Sequence, residues 1–481
     1  ANLRDNQDDF EFLNKKMPSV EAFKKYYNID DNDLERYHKL IQSRIVKLCT
    51  TINDMGVEVI ELPSNLTLLE VINYFERINM AKPFVMRDYV RIALSSIDEK
   101  SNGNVSSIVQ LFHCIANDRK KDLKNYRNSL SIGAVEKLKW LLDSKEGYLK
   151  AISKYPTEDD LYKILSYLIA DDVRVPILLE KINDTNQDVC ASDINEYMDI
   201  LVRKSTSDII NSVFDELGFW GRNKVKTNNR NLINFIVAKV IRILLEQKRK
   251  GIKKWYEISD YVKNQIKCLL VTMMLADNYF ESSASGEQRY NEAWRHINEK
   301  GIDSYIKDWL GNWISAHNDS MEKAICIKLL QSQGTNHNYL KLFIASQIHS
   351  NSNAFLSEDK VKDVIHEKYS AQFHHVWPKA SVTEGQDKGL INSCANIVLT
   401  PSTINREIGN KSPNDYIREY YENSKDKENT KKNLEMNCIP KEILENNFSS
   451  KDLITRMAEE KAKLIAEWYR ELLRNIEITE F

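Results

Sequence analysis

Two adjacent histidines, His374 and His375, lie in the run Phe373-His374-His375-Val376-Trp377-Pro378, and asparagines follow at positions 396 and 405. These residue types suit one reaction, the hydrolysis of a phosphodiester. That reaction needs a nucleophile, neutralisation of charge at the phosphate and help for the leaving oxygen. One divalent cation supplies the last two, and a neutral imidazole deprotonates water near pH 7. On an extended segment adjacent side chains point to opposite faces. At a bent hairpin both can still border one cleft, one binding metal and the other acting as base. The amide oxygen of Asn405 is a hard ligand suited to magnesium or manganese. Taken alone, the histidine pair fits a polar loop beside a core tryptophan equally well, so the weight falls on the elements that position it.

Those elements are legible in order. Asn392-Ser393-Cys394-Ala395-Asn396 leads into Ile397-Val398-Leu399, which reads as a strand, and Thr400-Pro401 reads as a helix start with Thr400 as N-cap and Pro401 in the first turn. Asn405 falls just over one turn into that helix, Gly409 is a C-terminal stop, and Ser412-Pro413-Asn414-Asp415 opens the next helix with capping-box-like spacing. The local order is strand, hairpin, strand, helix, with the helix N-terminus adding partial positive charge near a phosphate. Asn410 and Lys411 suit either phosphate contact or a helix end, the end being favoured, and Lys379 lies directly after the histidine motif.

The run His374-His375-Val376-Trp377-Pro378, Asn396-Ile397-Val398-Leu399 and Asn405 resembles a His-Asn-His (ββα-metal) nuclease. The resemblance implies His374 and Asn405 as ligands of a single Mg2+ or Mn2+, His375 as general base and Asn396 as the residue that orients it. A narrower resemblance, carried by Phe373–Lys379, Leu390–Leu399 and Asn405-Arg406-Glu407-Ile408-Gly409-Asn410-Lys411-Ser412-Pro413, is to the C-terminal nuclease domain of GmrSD-like restriction proteins. The tail, Ile439-Pro440 and Leu453-Ile454-Thr455-Arg456, also fits. The GmrSD-like resemblance implies bacterial anti-phage restriction and a duplex DNA substrate, modified phage DNA included. Val57–Leu62, Phe75-Glu76-Arg77-Ile78-Asn79 and Asp88 are similar to the last part of the ParB-like NTPase domain paired with it. The family's Asp-Gly-Gln-Gln-Arg nucleotide motif is missing and would lie upstream of Ala1. The expectation is a truncated chain or an NTPase half on another polypeptide, with nucleotide bound only there.

Composition agrees with a helical protein. The chain has only 14 Gly and 9 Pro in 481 residues, with 42% hydrophobic and 29% charged residues, which favours long helices over sandwiches, barrels and Gly-rich nucleotide folds. A formal net charge of −2 restricts nucleic-acid binding to local patches. The seven scattered cysteines form no Cys-x-x-Cys pair, which argues against a disulfide scaffold and a structural zinc site. No signal-peptide pattern opens the chain, and the longest apolar run, about Cys268–Ala276, is too short to span a bilayer. A cytoplasmic protein with no membrane contact is expected.

The expected fold is mainly α and multidomain: a long helical body, a small ββα-metal nuclease insert and a short α/β remnant at the N-terminus. Residues 1–105 read as the end of a ParB-like domain, 106–350 as the helical region and 351–481 as the nuclease domain with its helical tail, core 365–422. Helices are expected at Val135–Leu142, Asp159–Ile169, Leu232–Gln247, Ser259–Leu275 and Ser450–Leu473, and loops at Ser282–Gly286 and Lys425–Lys432. Basic segments lie at Arg119–Lys121, at Arg222-Asn223-Lys224-Val225-Lys226 continuing to Arg230, and at Lys248-Arg249-Lys250-Gly251-Ile252-Lys253-Lys254-Trp255; the last two, with Trp220 and Trp255 beside them, suit backbone contact and stacking with DNA. The alternative is a DNA-binding sensor or NTP-regulated module whose nuclease segment is inactive.

Overall fold

A computed structural model of the chain describes residues 158–183, 191–201, 203–219, 229–276, 284–317, 320–335, 337–366, 371–381 and 388–481. The chain divides into two compact units, Ala1–Ile78 and Asn79–Phe481, and every described residue belongs to the second. The ParB-like resemblance, the strand expected at Val57–Leu62, the helix at Val135–Leu142 and the basic segments Arg119–Lys121 and Arg222–Lys226 fall outside the described residues.

The described residues are mainly helical, with sixteen α-helices and two short strands. The helical body comprises α1 (Glu158–Ala170), α2 (Val175–Asn183), α3 (Ala191–Leu201), α4 (Lys204–Glu216), α5 (Arg230–Arg249), α6 (Asp260–Leu275), α7 (Ala284–Lys300), α8 (Ile302–Ser315), α9 (Met321–Gln331) and α10 (Asn338–His349). After the short α11 (Val361–His366) come β1 (Ala371–His375), α12 (Lys388–Ile391), β2 (Ile397–Pro401), α13 (Ser402–Ile408), α14 (Pro413–Asn423), α15 (Lys427–Met436) and the long α16 (Ser450–Arg474). Local chemistry explains the boundaries. Asn229 caps α5 by accepting from Leu232 N at 3.1 Å, and Ser259 caps α6 by accepting from Val262 N at 3.3 Å. Lys248 and Arg249 close α5 where cations suit the carbonyl end. No helix among the described residues is long and apolar enough to cross a membrane.

β1 and β2 pair antiparallel, with His374 opposite Val398 and His375 opposite Ile397. All five β2 residues are buried, so both faces of this strand are covered, and Ile397-Val398-Leu399 is an unbroken apolar run rather than an alternating one. Val376, Val398, Ile408, Tyr416, Ile417 and Leu434 share one buried cluster around the pair. Each fully buried apolar side chain of this size contributes about 1.5–3 kcal/mol, which fixes the register. The segment before β2 is tied to the helical body: Cys394 N donates to Ser332 O at 2.8 Å and Gly334 N to Asn392 O at 3.1 Å. Helix α16 packs against α9, α10, α6 and the turn at 394–396.

Three local expectations are corrected. Helix α13 begins at Ser402, because the Thr400 hydroxyl donates to Phe355 O at 2.8 Å and holds Thr400 in the strand instead of capping the helix. The charged stretch expected as a loop at Lys425–Lys432 is largely α15, capped by Asp426, which accepts from Asn429 N at 2.9 Å. The stretch Ser282–Gly286 already enters α7 at Ala284. Gly409 does close α13, at φ +58°, and Ser412 precedes α14 with Pro413 in its first turn.

Candidate functional site

His374 and His375 end β1, and strand alternation sends their rings to opposite sides. His374 is buried, 4% exposed. Its ring lies nearly parallel to that of Phe355, with centroids 5.8 Å apart, and edge-on to that of Tyr416. Its Nδ1 is 2.7 Å from Asn405 Oδ1, and its Nε2 is 3.2 Å from the Tyr416 hydroxyl. That hydroxyl donates to Val376 O at 3.1 Å. Asn405, from the helix α13 that follows β2, donates its Nδ2 to Gln372 Oε1 at 2.5 Å. Burial pushes the His374 pKa below the ordinary histidine value, against the opposing effect of Asn405, so the neutral ring is favoured near pH 7.

His375 is half-buried, and its Nε2 is shielded from solvent with no hydrogen-bond partner. Burial pushes its pKa down to about 4, with the Lys379 ammonium, His374 and the Lys461 ammonium adding to the shift. Neutral imidazole is therefore its form at pH 7. Lys461, from α16, is itself fully buried. It donates to Ile397 O at 2.6 Å and Cys394 O at 3.3 Å, and sits 4.3 Å from the centre of the Phe343 ring.

Asn396 is fully buried and its side chain is saturated. Oδ1 accepts from Trp377 N at 2.8 Å, and Nδ2 donates to Trp377 O at 2.9 Å and to Ile391 O at 2.8 Å. With the backbone bond from Val376 N to Asn396 O at 2.9 Å, Asn396 fastens the chain immediately after His375. It orients the segment that carries the imidazole rather than the imidazole itself.

Sequence order alone does not foretell these placements. His374 and Asn405, 31 positions apart, meet directly, while His375 and Asn396 are joined through backbone. Gln372, Phe355, Tyr416 and Lys461 were not singled out from sequence. Gln372 had a signal, since it lies two residues before His374 on the same strand face. Lys461 had one too, because it falls on the apolar stripe of α16 with Met457, Ala458, Ile465 and Ala466.

The basic candidates divide. Lys379 is exposed and close enough to His375 to affect it electrostatically. Asn410 is exposed, and Lys411 pairs with Glu419 at 2.8 Å. At the end of α5, Lys248 pairs with Glu196 at 2.6 Å, Arg249 lies 3.6 Å from the same carboxylate, and Lys254 pairs with Glu257 at 3.4 Å. Lys250 and Lys253 are exposed. The Trp255 ring is occupied by Arg203 at 4.8 Å and Lys248 at 5.6 Å, so it is not open for stacking on a base.

His374 Nδ1 and Asn405 Oδ1 fit a small hard cation. Neighbouring ligands of an octahedral ion with bonds of ~2.1 Å lie about 3 Å apart, and this pair stands at 2.7 Å. Two protein ligands are enough for magnesium or manganese, which keep several waters and share phosphate oxygens. Among the described residues no group of three or more His, Cys, Asp or Glu side chains could hold a metal, so a structural zinc centre has no candidate there. Compared with known proteins, the chain matches no protein-family model and no curated protein.

Proposed function

We propose that the β1–β2–α13 segment is a His-Asn-His site and that the chain is a divalent-metal-dependent endonuclease acting on duplex DNA in bacterial anti-phage restriction. The observation that carries this reading is the convergence of His374 Nδ1 and Asn405 Oδ1 to 2.7 Å. These two atoms, brought from β1 and α13, would hold Mg2+ or Mn2+. When bound, the ion supplies charge neutralisation at the scissile phosphate and at the leaving oxygen.

The chain's own residues supply the rest. His375, neutral at pH 7 and without a partner at Nε2, accepts the proton of an attacking water once the shielded Nε2 is uncovered. Asn396 holds Trp377 by both backbone groups, and Val376 N is bonded to Asn396 O. The imidazole is thereby carried on a fixed strand end. The exposed ammonium of Lys379 adds positive charge on the His375 side, where a phosphate would be attracted. The GmrSD-like setting, and an NTPase half that would control cutting, rest on sequence resemblance alone.

The test is plasmid nicking with Mg2+ or Mn2+, with EDTA, and with His375→Ala. Metal-dependent nicking lost in EDTA and reduced ~10²–10⁴-fold in the variant is expected for removal of a general base. Full nicking by the variant would remove His375 from that role. Metal-independent DNA binding without cleavage would replace the enzyme by a sensor.

A further inference from the structure

The Tyr416 hydroxyl carries one hydrogen, and Val376 O can only accept, so at 3.1 Å that hydrogen belongs to the bond with Val376. What Tyr416 turns toward His374 Nε2, 3.2 Å away, is a lone pair. A hydrogen on Nε2 satisfies it, whereas the other tautomer, with Nδ1–H donating to Asn405 Oδ1 and Nε2 accepting from Tyr416, takes the hydroxyl hydrogen away from Val376 O. With the Tyr416 hydrogen on Val376 O, the single N–H of the neutral ring is at Nε2, and Nδ1 is a bare lone pair facing Asn405. Asn405 is fixed from its other side. Its NH2 is engaged by Gln372 Oε1 at 2.5 Å, which turns Oδ1 toward His374. In the Nε2–H tautomer two acceptor atoms face one another across 2.7 Å, an arrangement that a cation resolves. The ring stack of Phe355 and the burial of Tyr416, only 3% exposed, leave His374 little freedom to rotate out of it.

We propose that Tyr416 and Gln372 are positioning residues of this site: Tyr416 sets the His374 tautomer and Gln372 sets the Asn405 amide, so that both donor lone pairs converge before an ion arrives. The proposal rests on His374 and Asn405 being the ion's ligands. It adds that their aim is imposed by two residues that would not touch the ion.

The first measurement needs no variant and no activity. Long-range ¹H–¹⁵N correlation spectra of the metal-free, full-length protein at neutral pH should show His374 protonated at Nε2 and bare at Nδ1. A ring protonated at Nδ1 would overturn the proposal. The second measurement follows Mn2+ binding by electron paramagnetic resonance in wild type, Tyr416→Phe and Gln372→Ala. Apparent affinity should fall roughly 10–100-fold in each variant, as for loss of other groups that orient ligands. In Tyr416→Phe the His374 tautomer should become mixed. A purely structural tyrosine would leave the tautomer pattern of the folded variant unchanged, and wild-type Mn2+ affinity in both folded variants would likewise overturn the proposal. Should Tyr416→Phe not fold, the wild-type tautomer and Gln372→Ala decide. Mn2+ binding with the expected tautomer but no DNA cleavage would sink the nuclease reading and leave the positioning roles standing. DNA cleavage with the wrong tautomer would do the reverse.

Discussion

His374 and His375 are neighbours in sequence with opposite surroundings. The first is enclosed by Phe355, Tyr416 and Asn405. The second lies near two ammonium groups and has an Nε2 with no partner. Their roles should therefore separate experimentally. Asn405→Ala or His374→Ala is expected to weaken Mn2+ binding and to lower nicking together. His375→Ala should lower nicking ~10²–10⁴-fold while leaving Mn2+ affinity near wild type. Isothermal titration with Mn2+ beside a nicking assay reads both quantities, and a His375 variant that loses metal affinity would merge the two roles. The same pair shows what the sequence can carry. Residue types and spacing pointed to His374, His375, Asn396 and Asn405. They could not show that the 31 positions between His374 and Asn405 shrink to a direct contact, because that depends on the strand register and on where α13 begins.

At the scale of elements, two buried polar side chains keep the β1–β2 pair in place. Asn396 makes three hydrogen bonds to backbone groups, one buried at Ile391 O and two part-buried at Trp377 N and O. Asn396→Ala removes all three and orphans the buried Ile391 O and the part-buried backbone groups of Trp377. A loss of about 2–4 kcal/mol in unfolding free energy is expected, since each orphaned buried group costs ~1–3 kcal/mol. Urea titration of the variant checks it, and a loss under ~1 kcal/mol would mean that other contacts hold the turn. Lys461 presents a contrast. Its ammonium satisfies Ile397 O and Cys394 O, yet burial alone pushes its pKa down to about 8. Lys461→Met removes donors and a desolvated charge at once, so the two effects oppose. The expected loss is smaller than for Asn396→Ala, about 1 kcal/mol on the scale of a net hydrogen bond, and the reverse ranking would show the ammonium to be the stronger anchor. The elements themselves were largely readable: the β2 run, the stop at Gly409 and the α5, α6 and α16 periodicities all appear near their expected places. Helix α15 was not, because its charged residues resemble a solvated loop. It is held by the Asp426 cap and by Leu434, which is fully buried in the cluster beneath the strand pair.

At the scale of the described molecule, α16 joins the site to the helical body. Its middle reaches the strand pair through Lys461, and nearer its C-terminal end Tyr469 is bonded to Thr272 of α6 and Arg470 to Glu322 at the start of α9. Such contacts are long-range, which is why the sequence disclosed the helix but not its partners. The Arg470–Glu322 pair gives a pH-dependent measure of this attachment. The Arg470 guanidinium, 2.6 Å from Glu322 Oε1, holds that carboxyl down to about 2, with the Glu322 backbone amide and the Ser320 hydroxyl helping against burial. Glu322 thus binds a proton more readily in the unfolded chain than in the folded one. The stability it contributes is fully present above its unfolded value of ~4.3 and is lost as pH falls toward 2. The full shift corresponds to ~3 kcal/mol. With the side chains of Arg470 and Glu322 27% and 33% exposed, solvent screening reduces the expected contribution to about 1 kcal/mol. Chemical denaturation of wild type and Glu322→Gln should therefore differ by about 1 kcal/mol at pH 7 and converge between pH 4 and pH 2. A difference that persists unchanged at pH 2 would show that α16 is attached to α9 by packing alone, with no contribution from the ion pair.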